Sequence, residues 1–307
     1  MKGMLSWLAA AAMVAAPAAQ AQDAEVVFRP AGNWTADYGD DYCRLIRNFS
    51  DGTREMSLAL ERLQPGAQVR LIAVGEGMRP FRGAEQIAYR FLPSGASGKT
   101  HYVRSETPEG KQFVSFDPVT LAQPPAPGVP PPVPPVYSRT EEQATARGVT
   151  GLVLTEGLIS PVRVETGPLG AAVGALQACA DDLLRVWGLD PEKHKTMTAP
   201  AILNPNPAGV LPQGTIPLGE FGKLTGGANQ VRLLIGVEGK VTACSIYSPS
   251  LSQTLNDRIC SLAKERGSFQ PAKDADGQAM ASVWMGSPMF LGPPVPGGRG
   301  PGARGGG

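Results

Sequence analysis

Tyr42-Cys43-Arg44-Leu45-Ile46-Arg47 runs into Ser50-Asp51-Gly52, and beyond that turn Met56, Leu58 and Leu60 alternate with Ser57, Ala59 and Glu61. A period of two marks a strand with one apolar face, and an Asp-Gly pair between two such runs marks a hairpin. After Pro65-Gly66 a third strand is expected over residues 68–74, with weaker strand patterns over 86–92 and 111–116. An antiparallel sheet or small sandwich is the package these strands imply. Asp51 is then a hairpin residue, and the order Asp51-Gly52-Thr53 inverts the one an aspartic-protease loop needs.

Toward the N-terminus, Lys2, an apolar run over 4–16 and the small-residue triplet Ala19-Gln20-Ala21 predict a secretory signal at 1–21, cut after Ala21. Its ~13 apolar residues fall short of the ~20 that span a bilayer. No direct membrane span is expected after cleavage. About 285 residues would remain, enough for two domains, and an apolar content of 42% allows each a core. With 28 basic against 27 acidic side chains, the chain has no field that would draw nucleic acid or an anionic membrane.

Cys43, Cys179, Cys244 and Cys260 all follow the signal, and an even count in an exported chain favours two disulfides. Three pairings are possible. Proximity favours Cys244 with Cys260, which leaves Cys43 with Cys179 to tie together the two ends of the first module. There are two histidines, His101 and His194, and no Cys-x-x-Cys, so no metal site and no cofactor are expected.

Residues 123–136, Gln-Pro-Pro-Ala-Pro-Gly-Val-Pro-Pro-Pro-Val-Pro-Pro-Val, lack the backbone donors for helix or sheet and read as extended polyproline II. If Cys43 pairs with Cys179, this stretch interrupts one β-rich module over 24–195, because 151–164 reads as strand again. A helix is expected over 169–186 from Leu169, Val173, Leu176, Ala180, Leu183 and Leu184, with Gly188 as its stop and Trp187 as a core or edge aromatic. Residues 196–220, rich in Pro, Asn and Gly, read as a linker, and 292–307 as a Gly/Pro tail.

In the last module, Val231-Arg-Leu-Leu-Ile-Gly-Val237 is an apolar strand, Glu238-Gly239-Lys240 a turn and 241–247 the returning strand. Ser248 or Ser250 is the expected cap of a helix striped by Leu251, Leu255, Ile259 and Leu262 and stopped at Gly267. Ser282-Val283-Trp284-Met285 opens a last strand. With its Gly239-x-Val241-x-x-Cys244, Leu255-x4-Cys260, Phe269-x-Pro271-Ala272 and Asp274-x-x-Gly277, the segment 231–291 resembles the C-terminal domain of TonB-type energy transducers, in a two-cysteine variant. The resemblance implies a periplasmic fold whose exposed sheet edge accepts a partner strand. Val283, Trp284, Met285 and Phe290 are the candidate partner-binding edge. The family's N-terminal membrane helix and its Tyr-Pro lead into the domain have no counterpart here, Ile216-Pro217 standing in place of the latter.

Enzyme signatures are sparse. Gly95-Ala96-Ser97-Gly98-Lys99-Thr100 has Pro93 where a phosphate-binding loop needs its first glycine, so no nucleotide is expected. Ser261-Leu262-Ala263-Lys264 lies late in a helix without the partner motifs of penicillin-binding enzymes. The expected fold class is α+β: a mainly antiparallel N-terminal β module with one helix, then a small β-β-α-β TonB-like module over 221–291. The expected function is an exported, non-enzymatic envelope protein that binds a protein or peptide partner in the periplasm. The alternatives are an enzyme with its site in the N-terminal module, near His101, or a transducer that retains its signal as an anchor.

Overall fold

The computed structural model describes residues 25–122, 137–224 and 226–293. The expected signal, the proline-rich stretch and the tail from residue 294 on lie outside the described residues. The first nine strands are β1 (Val26–Pro30), β2 (Thr35–Tyr38), β3 (Cys43–Ser50), β4 (Glu55–Arg62), β5 (Gln68–Gly75), β6 (Gln86–Leu92), β7 (Ser97–Glu106), β8 (Gln112–Phe116) and β9 (Val119–Thr120). Then come α1 (Arg139–Gly148), β10 (Gly151–Leu154), β11 (Val162–Val164), α2 (Gly170–Val186), α3 (Pro191–Lys195) and β12 (Ile202–Leu203). The C-terminal part holds β13 (Gln230–Ile235), β14 (Val241–Tyr247), α4 (Gln253–Arg266), β15 (Phe269–Gln270), β16 (Ala272–Lys273), β17 (Ala279–Met280) and β18 (Ser282–Gly286).

The expected α+β class, with a small β module followed by a TonB-like β-β-α-β module, is overturned by a closed barrel. Nine strands follow one another as β1-β11-β10-β6-β7-β8-β5-β4-β3, and β3 pairs with β1 to close the ring. The protein is therefore mostly β, and it is not a sandwich. β1 makes the seam. Its first three residues pair in parallel with β11, and Arg29 and Pro30 pair antiparallel with β3. Closure removes the sheet edges that an open meander would expose.

Alternation then fills the barrel. Cys43, Leu45 and Phe49 of β3, Met56, Leu58 and Leu60 of β4, and Val69, Leu71 and Ala73 of β5 are buried in one core with Phe28, Phe91 and Phe116. α2 lays Leu169, Val173, Leu176 and Leu183 on that core, at the helical spacing of its apolar stripe. Cys43 and Cys179 join β3 to α2 across 136 residues of sequence. α1 and α3 add two helices to the one expected. Their start signals are plain in the sequence: the Ser138 hydroxyl accepts from Glu141 N–H, and the Asp190 carboxylate accepts from Glu192 and Lys193 N–H ahead of Pro191.

A second core forms under the sheet β14-β13-β18. Val231, Leu233, Ile235 and Trp284 face α4, which contributes Ile259, Leu262 and Ala263. Cys244 and Cys260 tie β14 to this helix. Its cap is Ser252, which accepts from Leu255 N–H, so neither Ser248 nor Ser250 plays the expected part. The segment read as a linker is packed instead: β12 pairs with β15, and Val210, Leu211 and Ile216 enter the second core. Gly239 sits at φ 72° in the tight turn between β13 and β14, where a Cβ would strike the Phe269 carbonyl. Among the described residues, no helix is long and apolar enough to cross a membrane.

The two disulfides close loops of very different length, and in the chain-entropy model the longer one restrains the unfolded chain more. Replacing Cys43 and Cys179 by Ser is expected to lower unfolding free energy by about 5 kcal/mol, against about 3 kcal/mol for the Cys244 and Cys260 pair. Urea titration of the two double variants measures the difference, and equal losses would contradict the entropic account.

Candidate functional site

Register builds a row of charge on the outside of the barrel. Arg44 stands opposite Glu61 across β3 and β4, and Glu61 stands opposite Arg70 across β4 and β5. Glu61 is only 1% exposed. Its Oε2 accepts from Arg44 Nε at 2.9 Å and Nη2 at 2.5 Å, and its Oε1 accepts from Arg70 Nε at 2.8 Å and also from Nη2. The C-terminal sheet covers the row. Tyr247 of β14 donates to Glu61 Oε2 at 3.0 Å, and burial, then the Glu61 charge, push its phenol up to about 12. Arg70 Nη1 and the Ser115 hydroxyl both donate to the Gly226 carbonyl, and a side chain on Gly227 would collide with the Arg70 guanidinium. At the far side Arg232 of β13 pairs with Asp41 at 2.5 Å and lies 4.3 Å over the Trp187 ring.

A second polar cluster closes one barrel mouth. Arg62 ends β4 with 1% exposure and donates through Nη2 to Glu142 Oε1 of α1 at 2.5 Å. Tyr137 and Gln177 donate to the other Glu142 oxygen at 2.6 and 2.8 Å. Burial, then the Arg62 and Glu142 charges acting in opposite directions, leave the Tyr137 phenol at about 12. These bonds fix α1 and α2 over the core, so the barrel interior is side-chain packing.

A cavity of about 680 Å³ lies outside the barrel, between it and the C-terminal sheet. The β4–β5 turn at Gln64-Pro65-Gly66 forms one wall, Tyr137 and Arg139 another, and α3 with the residues to Pro200 a third. Val283 of β18 completes it. A volume of this size is in the range of small-ligand sites. Around the same turn a smaller recess is lined by Glu61, Arg70 and Met285. The cleft wall is stitched to the C-terminal part by Thr198, whose N–H donates to the Lys273 carbonyl and whose hydroxyl donates to the Asp274 carbonyl.

Three charged side chains line the cleft. Arg139 Nη1 donates to Asp181 Oδ1 at 2.6 Å, and Lys195 Nζ lies 3.5 Å from Asp181 Oδ2. Lys195 also bonds Glu192, which is largely exposed at the rim. Beside them His194 is 9% exposed, and neither ring nitrogen reaches a hydrogen-bond partner of good geometry. Burial holds its imidazole down at about 4, against a weaker pull from the nearby Ala281 backbone, so it is neutral at pH 7.

The chain matches no family model, no curated protein and no solved structure. The site must therefore be read from its own geometry. Of the candidate edge residues, Trp284 faces α4 within the second core, Val283 lines the cleft, and Met285 lines the recess beside it. Phe290 is not on the strand but in the 3-10 turn Pro288–Leu291, packed against the second core. β18 is a terminal strand of its sheet and pairs with β13 alone among the described residues. His101, around which an N-terminal site was weighed, is exposed and hydrogen-bonds Gln86. Residues 97–100 of the loop weighed for phosphate lie in β7, where Lys99 pairs with Glu156. Ser261 and Lys264 are on α4. Among the described residues no group of three or more His, Cys, Asp and Glu could hold a metal.

Two measurements check the electrostatics. Glu61→Gln leaves Arg70 without a counter-ion and Arg44 with Asp37 alone, and is expected to cost about 3 kcal/mol of stability, while Tyr247→Phe is expected to cost about 1 to 2 kcal/mol. For His194, the folded value lies below the ordinary one of 6.5, so protons favour the unfolded chain. Its contribution is complete above pH 6.5 and is lost as pH falls toward 4. Wild type should lose about 3 kcal/mol more than His194→Gln between pH 7 and 4, measured by denaturant unfolding. Parallel pH curves would show that His194 is not buried neutral.

Proposed function

We propose that this is an exported cell-envelope binding protein that holds a short extended segment of a partner protein in the cleft between barrel and C-terminal sheet. One observation carries the reading: a cleft of about 680 Å³ opens beside a sheet-terminal strand and is lined by a buried histidine whose ring nitrogens have no hydrogen-bond partner of good geometry. A neutral imidazole offers one donor and one acceptor, the same pair that a peptide unit presents in reverse. A strand with an unpaired margin supports the same ligand, since an extended segment gains main-chain hydrogen bonds along it. The filled barrel serves as the scaffold that holds one wall of the cleft.

Two disulfides indicate that the protein folds in an oxidising, exported environment. We place it in the periplasm of a Gram-negative envelope, on the signal pattern of residues 1–21.

The test is selection of peptides from a random display library against the full chain, followed by affinity measurement with Val283→Arg. That substitution puts a long cation into the cleft at a half-buried position. Selected peptides should bind the variant at least tenfold more weakly while its circular dichroism spectrum stays unchanged. Undiminished binding would remove the cleft as the site.

A further inference from the structure

Resting on the cleft as the binding site, we infer that it captures the free carboxyl end of a partner chain whose last residue is apolar. Charge is the first argument. Of the charged side chains lining the cleft, Arg139 and Lys195 are cations and Asp181 is the one anion, with Glu192 on the open rim. Arg139 engages Asp181 through Nη1, so a planar guanidinium with five donors is held in place with capacity to spare. An incoming carboxylate competes with the exposed Glu192 for Lys195 and finds the spare donors of Arg139, and guanidinium matches carboxylate in shape as well as charge.

Burial is the second argument. His194 is nine-tenths buried on the same short helix as Lys195, with the Ala281 backbone nearby and no hydrogen-bond partner of good geometry at either ring nitrogen. An unmet donor in such a place costs stability until a ligand atom meets it. His194 and the two cations line the same cavity, so donors for one anionic group come from two of its walls. Glu142 and Asp274 behind the walls are already paired with Arg62 and Lys193, and Asp190, whose charge also acts on His194, is held by the Glu192 and Lys193 N–H groups.

Size and lining give the rest. Leu184, Met197 and Val283 supply an apolar surface within the same cavity, which suits one aliphatic side chain next to the carboxylate. The volume suits a few residues rather than a folded domain. A chain terminus fits such a site, because the partner's body can stay outside.

The experiment uses the full chain and a set of fluorescent tetrapeptides ending in Leu, Val or Phe, each made as the free acid and as the C-terminal amide, read by anisotropy. The expected result is binding of the acids and a tenfold to hundredfold loss on amidation, the size of a lost charge-assisted contact. In Arg139→Gln and Lys195→Gln the acids should weaken to the level of the amides, while the amides stay unchanged. Acid and amide binding alike would overturn the carboxylate inference and leave peptide binding in the cleft standing. Binding of neither form would sink both. Octanoate, with the charge and the apolar reach but no peptide units, should compete at least tenfold more weakly, and equal competition would overturn the peptide class.

Discussion

Glu61 must keep both oxygens bonded, because a carboxylate sealed between two layers of β-structure has no water to turn to. Arg44 and Arg70 meet that demand from the neighbouring strands, and Tyr247 meets it from the other half of the molecule. Docking of the C-terminal sheet thereby covers a carboxylate that the barrel wall already holds and adds a third donor to it. This explains why every residue of β4 from Leu58 to Arg62 and of β5 from Val69 to Ala73 is buried. One face lies on the barrel core and the other lies under the second unit. The glycines at 226 and 227 let the backbone approach close enough for the Gly226 carbonyl to reach Arg70 and Ser115.

The same arrangement determines where a ligand can go. Phe28, Phe49, Phe91 and Phe116 occupy the barrel interior, and the Arg62–Glu142 pair sits at its mouth. The seam between the units holds the cleft of about 680 Å³, with the recess beside Glu61 around the same turn. Its walls come from a turn, two helices and a sheet-terminal strand, all held by bonds that do not depend on a ligand. Such a cleft is largely formed in advance, which lowers the entropy lost on binding.

The hairpin from Tyr42 to Leu63 was legible because its alternation is strict on the inward face, and the strands over 68–74, 86–92 and 111–116 were legible for the same reason. The helix with Cys179 and the preferred cysteine pairing also followed from local pattern. Closure was not. It depends on Val26, Val27 and Phe28 pairing with residues 162–164, and on Arg29 and Pro30 turning to β3, contacts that no local period encodes. The cleft was hidden for a related reason. Its residues come from 64–66, 137–140, 181–200 and 275–283, and the helix that carries His194 and Lys195 is five residues long. Asp190-Pro191 marked its start, and Ser138-x-x-Glu141 marked that of α1, but neither signal says what the helix will face.

The seam strand sets a timetable for the molecule. β1 is the earliest described strand in sequence and requires β11 as one neighbour, so the ring cannot be sealed until residue 164 is present. The cystine from Cys43 waits longer still, for Cys179. A chain that emerges amino end first thus has its opening strand without its β11 partner and must hold it in reserve. Long-range pairing of this kind makes maturation slow relative to the hairpins. It also keeps the barrel from closing on a partial chain, so the ring and its cystine are sealed late, by residues far from the opening strand.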